Sequence, residues 1–307
     1  MMLKNEYYKD YRGEYLKSKR RGEMMNVILP EKKKITKRRI IIYSVAILAC
    51  ILAIVVVIGI QVLGNGVVND FFGVNKITKK TEEEENKLKV EFDTLFQNQL
   101  ENKSNYEVKK IQEDKSIVYT SYENTKKSAN NYELNVNLPY INIKNQTVQN
   151  YNEEIKNIFQ AKAEEVLKST NSNVIYTVKY QAYIENNILS LIMYSDLKQD
   201  VSAQRIIIQT FNFNLETNKE LTLEDIIKIY ELDEKTVQNK INDEIKKEEE
   251  KAKDLKALGY NVFSRDIDSD IYEIKNATEF FVHDNNLYII YAYGNDKLTS
   301  ERDIVVI

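Results

Sequence analysis

From Ile40 to Asn69 this chain carries no charge. The first 24 residues of that run, "IIIYSVAILACILAIVVVIGIQVL", contain 16 Ile, Leu or Val. A helix of that length is about 36 Å long, enough to cross a hydrocarbon core of roughly 30 Å with some tilt. Helices that pack on a protein core alternate apolar and polar faces, and this one does not. The expectation is a transmembrane helix from Ile40 to Leu63. It exceeds the usual apolar stretch of a signal peptide, and no small-x-small cleavage site follows it, so it reads as an uncleaved anchor.

That run separates two electrostatically different parts. Residues 1–39 hold 13 Lys/Arg and 5 Asp/Glu, a net of +8, whereas the remaining 268 residues hold 31 and 42, a net of −11. The basic residues crowd the N-terminal flank as Lys32, Lys33, Lys34, Lys37, Arg38 and Arg39, and only Lys76 lies within 15 residues after the span. Excess Lys/Arg marks the cytoplasmic side, so the N-terminus is expected inside and residues 64–307 outside. The single cysteine, Cys50, lies within the apolar run, which leaves the exported part free of thiols. No intrachain disulfide is available.

The inner segment is basic and studded with Tyr7, Tyr8, Tyr11 and Tyr15. It suits contact with anionic membrane lipid. A sharper reading is a docking peptide for a cytoplasmic protein. Nucleic acid is the weakest of the partner readings, because a 39-residue tail held at a membrane makes a poor nucleic-acid module.

Residues 64–84 are expected as a juxtamembrane linker, with helical spacing over 82–101. Three β-like runs follow: "YEVKKI" at 106–111, "SIVYTSYE" at 116–123 and "YELNVNLPYINI" at 132–143. Pro139 within the last of these implies an edge strand or an exit from the sheet. Helical spacing returns through Val148, Tyr151, Ile155, Ile158, Phe159 and Val166. Strict alternation from Val174 to Ile184 predicts a strand, "ENN" at 185–187 a turn, and "ILSLIMYSDL" a central strand. A further strand is expected at "QRIIIQTFNFNL". Thr222 and Asp225 form a capping-box pattern. A long charged helix lined by Val237, Ile241, Ile245 and Leu255 should stop at Gly259. "ATEFFVH" and "LYIIYAYG" pair across "DNN", and "DIVVI" adds a last strand. The expected class is α+β, antiparallel sheets with packed helices, divided into subdomains at 85–170 and 171–307.

Little in the chain points to catalysis. His283 is the only histidine, and it precedes the turn signal Asp284-Asn285-Asn286. A hydrolytic triad needs a nucleophile and a carboxylate around such a base, and a strand-end residue beside a loop is the simpler reading. Cys and His are too few for a metal cluster. Asp266, Asp268 and Asp270 have the spacing that opens a calcium loop, but its sixth and twelfth positions hold Ile271 and Ala277 instead of Gly and Glu. There is no Gly-rich phosphate loop, so no cofactor is expected.

Three stretches carry a family resemblance: "LPYINIKNQTVQNYNEEI", "FNFNLETNKELTLEDIIK" and "EFFVHDNNLYIIYAYG". Together they resemble the C-terminal domain family of the lysozyme-sensing anti-sigma factor RsiV, a domain also appended to some peptidoglycan deacetylases. The resemblance covers roughly residues 130–307. Where that family carries a Gly-Gly-Ala-His-Gly turn, this chain reads "SDLKQDVSAQ". The resemblance implies an exported, non-catalytic recognition domain for a cell-wall glycan or an extracellular protein. The expected ligand loops hold Ser195, Asp196, Lys198 and Asp200, together with His283 and Asp284. An anti-sigma-like sensor with a partner-binding tail is the alternative.

Overall fold

The computed structural model describes residues 77, 80–128, 132–168 and 173–307. The expected span from Ile40 to Leu63 and its basic flank from Lys32 to Arg39 lie outside the described residues. Among those described, no helix is long and apolar enough to cross a membrane.

Helix α1 (Glu82–Glu91) starts inside the expected linker because Thr81 caps it reciprocally. The Glu84 N–H donates to the Thr81 hydroxyl at 3.3 Å, and the Thr81 N–H donates to the Glu84 carboxylate at 2.8 Å. It ends ten residues before the expected limit. A 3-10 turn (Phe92–Thr94) brings Phe92 and Phe96 into the core, and Asn98, at φ 55°, redirects the chain into a sheet. There the Asn98 N–H donates to the Tyr180 carbonyl at 2.9 Å, and the Tyr180 N–H donates to Asn98 Oδ1 at 3.0 Å.

The main sheet has seven strands. These are β1 (Leu100–Asn102), β2 (Val118–Ser128), β3 (Tyr132–Ile141), β4 (Val174–Glu185), β5 (Ile188–Gln199), β6 (Arg205–Asn214) and β7 (Lys219–Glu220). Their order is β2-β3-β4-β5-β6-β7, with β1 beside β4. The α+β class holds, but the sheet is mixed where antiparallel pairing was expected: β3 and β1 both run parallel to β4. A helical crossover, α2 (Gln146–Ile155) continuing through a π segment into α3 (Ala161–Leu167), returns the chain in the same direction. The expected boundary at 170/171 falls between directly paired strands, and Asn75–Ile307 is one compact unit.

Pro139 sits where this topology tolerates it. β3 pairs with β4 only over Tyr132–Val136, after which β1 takes that edge of β4 at Ala182–Ile184. On its other side Pro139 opposes Thr120, next to a bulge at Ser121. The expected strand at 106–111 forms only an isolated bridge, Lys110↔Ile143, since β1 and β3 already fill the edge of β4.

A second sheet, β8 (Glu279–His283), β9 (Asn286–Ala292) and β10 (Arg302–Val306), is antiparallel throughout. Two helices, α4 (Leu223–Ile229) and α5 (Glu234–Ala257), precede it. The Thr222–Asp225 box caps α4 as the pattern predicts. Gly259, at φ 90°, ends α5: its N–H reaches the Lys256 carbonyl and that of Tyr260 the Leu255 carbonyl, the paired bonds of a Schellman cap.

Period-two alternation assigns each face to a core. Tyr176, Val178, Leu191, Met193, Phe211 and Phe213 pack beneath α2 and α3. Tyr183, Ile192, Ile206 and Ile208 face Phe281, Tyr288 and Ile290 of the second sheet. Phe280, Leu287, Ile289 and Tyr291 face α4 and α5. The unit therefore has four layers: helices, sheet, sheet, helices. Every residue of β9 is buried, which is why "LYIIYA" is apolar on both faces. Leu255, expected on the core face of α5, is exposed, because the buried stripe of α5 ends at Ala252. Near that end Glu249 and Ala252 are the buried positions, and Glu249 accepts the Arg265 N–H at 2.7 Å. At Gly294 a Cβ would meet the backbone carbonyls of Ile206 and Thr299, so only glycine allows this crossing.

Candidate functional site

Two hairpins from different sheets bring their tips together. The β4–β5 turn is Asn186-Asn187, with φ 49° and 61°, and the β8–β9 turn is Asp284-Asn285, with φ 49° and 58°. Two consecutive left-handed residues make a type I′ turn, whose twist matches that of the strands it joins, and Asn and Asp tolerate that conformation best after Gly. The flanking pairs Glu185↔Ile188 and His283↔Asn286 close each hairpin.

Glu185 locks one tip to the other. Its carboxylate oxygens accept the Asp284 N–H at 3.2 and 3.0 Å. His283 Nδ1 lies 3.2 Å from Glu185 Oε1, and Nε2 lies 3.3 Å from Asp284 Oδ2. The imidazole stacks on Tyr183 with ring centroids 3.7 Å apart and planes 18° apart. Lys103, just after β1, ion-pairs with Glu185 at 3.2 Å and also with Asp284. Ser104 Oγ then donates to Asn187 Oδ1 at 2.7 Å.

Burial alone would raise the Glu185 carboxyl. Hydrogen bonds from His283, the Asp284 N–H and Lys103 outweigh it and hold the pKa below the ordinary value of 4.5. Chiefly through its bond to Asp284, Lys103 is held above the ordinary ammonium value. Burial pushes the Tyr183 phenol far up, so it stays neutral. Glu185, His283 and Asp284 offer three ligand atoms within 4.8 Å of one another. The two imidazole nitrogens, however, face different carboxylates, and the Lys103 ammonium already occupies the cation position between them. The cluster is a fastener of two turns, with Lys103 paired to both carboxylates.

Because folding lowers the Glu185 pKa, its stabilisation is complete above the unfolded value near 4.5 and is lost as pH falls through the lower folded value. Glu185→Gln is therefore expected to flatten the acid limb of the stability–pH profile below about pH 4.5. At neutral pH it costs about 1–3 kcal/mol in urea denaturation. An unchanged acid limb would show that the carboxylate contributes nothing to folding.

The other expected ligand loop lies elsewhere. Asp196, Lys198 and Asp200 lie at the far end of β5 and just past it. Eleven residue steps from Ile188 to Gln199 make about 36 Å. Ser195 is buried within the ladder. Asp196 accepts from Gln204 Nε2 at 2.5 Å, its Oδ1 is buried without a partner, and burial raises its carboxyl. Lys198 is exposed. Asp200, at φ 50°, makes a local clasp: its Oδ1 accepts the Asn173 N–H and its own N–H donates to the Asn173 carbonyl, both at 2.8 Å. The two candidate loops do not converge. The Asp266–Asp268–Asp270 carboxylates project from an exposed loop.

Lys103, Glu185 and Tyr183 were not legible as site residues. Glu185 and His283 are 98 positions apart, and only the packing of one sheet on the other joins them. A second network was equally hidden. Arg265 makes a two-pronged pair with Asp303, with Nε and Nη2 each 2.6 Å from a carboxylate oxygen. Tyr293 donates to Asp303 at 2.6 Å, and its hydroxyl lies 2.8 Å from that of Tyr272. Beside it an open cleft of about 370 Å³ is lined by charges that already have partners, including Lys89 with Glu244 and Arg302 with Asp93.

No model of a known protein family matches the chain, and no curated protein matches it.

Proposed function

We propose that the chain is a single-pass, non-catalytic recognition protein of the cell membrane, with residues 1–39 in the cytoplasm and the α+β unit outside. The observation that carries this is the uncharged run from Ile40 to Asn69, with six basic residues crowded before it and an acidic remainder after it. The contacts of His283 favour the non-catalytic reading: its ring nitrogens are engaged by Glu185 and Asp284 and its face by Tyr183, with no Ser, Thr or Cys for the imidazole to activate among those partners. The resemblance to the RsiV C-terminal family points to a wall glycan or an extracellular protein as ligand.

The sheet offers a surface for such a ligand. On the face away from α2 and α3, the small sheet covers β5 and β6 but leaves Glu123, Thr125, Lys127, Glu133 and Ile175 exposed, with Asn135 and Thr177 half-buried beside them. This polar, hydrogen-bonding face suits a glycan or an extended peptide.

The basic, tyrosine-rich tail favours one second reading, an anti-sigma-like sensor that holds a cytoplasmic protein until the outer unit is engaged. Full-length protein in nanodiscs separates the readings. Protease added to intact cells should trim residues 85–307, and the nanodisc protein should bind soluble peptidoglycan fragments or lysozyme without turnover. Protection of the outer unit in intact cells overturns the topology. Cleavage of the fragments overturns the non-catalytic reading. Capture of a transcription factor by residues 1–39 favours the sensor.

A further inference from the structure

We propose that β2 is a self-complementary edge through which two copies of this chain join their main sheets into one. Among the described residues β2 pairs only with β3, so its outer row of N–H and C=O groups has no strand beside it. Most of its middle and end is exposed. An open edge of 11 residues is a template for another strand unless something blunts it.

The side chains choose the partner. In an antiparallel pair related by a two-fold axis normal to the sheet, residues of the same face oppose each other. With the axis through Thr125, Glu123 of each copy lies opposite Lys127 of the other, and Asn124 opposite Lys126. Tyr122 then faces Ser128, and Thr125 faces its own twin. The rows continue inward, since Lys127 already pairs with Glu133 of β3 at 2.6 Å and Thr125 already donates to Asn135 at 3.5 Å. One row across four strands would read Glu133, Lys127, Glu123, Asn137, the last two from the second copy, and the central row would be its own mirror image. Opposite charges across a strand pair stabilise it, whereas like charges destabilise it.

Neighbouring registers are worse. Moving the axis to Lys126 sets Lys126 against its twin. Moving it to Asn124 removes both ion pairs and places Lys127 opposite Ser121, where the bulge breaks the ladder. Edge lysines ordinarily discourage strand addition. Here they discourage an arbitrary strand and accept this one, whose acid lies four residues from its own lysine. The resulting dimer would make the exposed polar face continuous across two copies, and it requires no ligand.

The test uses the full chain in detergent with Cys50→Ala. Thr125→Cys should crosslink to itself rapidly with a short bis-maleimide, because the twin Cα atoms would lie about 5 Å apart. Glu123→Cys should crosslink poorly, as its twin would be about 14 Å away. In sedimentation, Glu123→Lys or Lys127→Glu alone should weaken the dimer roughly tenfold or more, and the double exchange should restore it. A chain that is monomeric at every concentration, crosslinking at 123 equal to that at 125, or a double exchange that fails to restore association each overturns the proposal.

Discussion

Asp303→Ala is expected to destabilise the folded unit by roughly 3–5 kcal/mol, because it strands a buried guanidinium. Asp303 and Arg265 are 3% and 8% exposed, and two hydrogen bonds join them. Burial and then the Asp303 carboxylate drive the Tyr293 phenol far above its ordinary pKa, so Tyr293 stays a neutral donor to Asp303. Removing the carboxylate leaves both Arg265 and Tyr293 short of an acceptor. For a unit of this size the melting temperature should fall by roughly 6–20 °C. The pair itself adds little over well-packed apolar groups, since desolvation offsets most of its attraction. Arg265→Met with Asp303→Leu should therefore recover most of the loss. A loss below about 1 kcal/mol in the single variant would mean that water reaches the pair, and the buried network would have to be abandoned.

Phe281→Ala is the second large effect, about 3–5 kcal/mol from lost burial and the cavity left behind. Phe281 is fully buried between the sheets. It stacks on Tyr288 at 4.4 Å, with planes 3° apart, and meets Tyr183 and Phe92, each at 6.2 Å. Tyr183 in turn supports His283. The column therefore runs from the core to the turn fastener, and the cavity should also loosen the hold of Glu185 on the Asp284 turn. Hydrogen exchange at the Asp284 N–H reads that coupling, with faster exchange expected in the variant. Val90→Ala, at a position 80% exposed, should change stability by less than about 0.5 kcal/mol. Equal losses at the two positions would contradict the two-sheet core.

Where local chemistry specifies local geometry, the sequence was legible. The alternation from Val174 to Ile184, the Asn and Asp turns after Glu185 and His283, the Thr222 cap and the Gly259 stop each appear where their residues require. The errors have physical causes too. The first helix stops early because Phe92 and Phe96 turn into the core, and 106–111 finds no free strand edge to join. Parallel pairing of β3 with β4 depends on the helical crossover, which strand patterning does not report.

Of the candidate site, the reading of His283 as a strand-end residue beside a turn agrees with its place at the end of β8. Its partners were hidden. Local periodicity specifies which residues turn and which face a core, since those depend on neighbours a few positions away. Only the tertiary structure decided that the Glu185 and Asp284 turns meet, that Lys103 fills the space between their carboxylates, and that Asp196 and Asp200 stand at the opposite end of the sheet. Those relations arise when two buried faces pack together, and residues 98 positions apart leave no trace of that in the spacing of either segment.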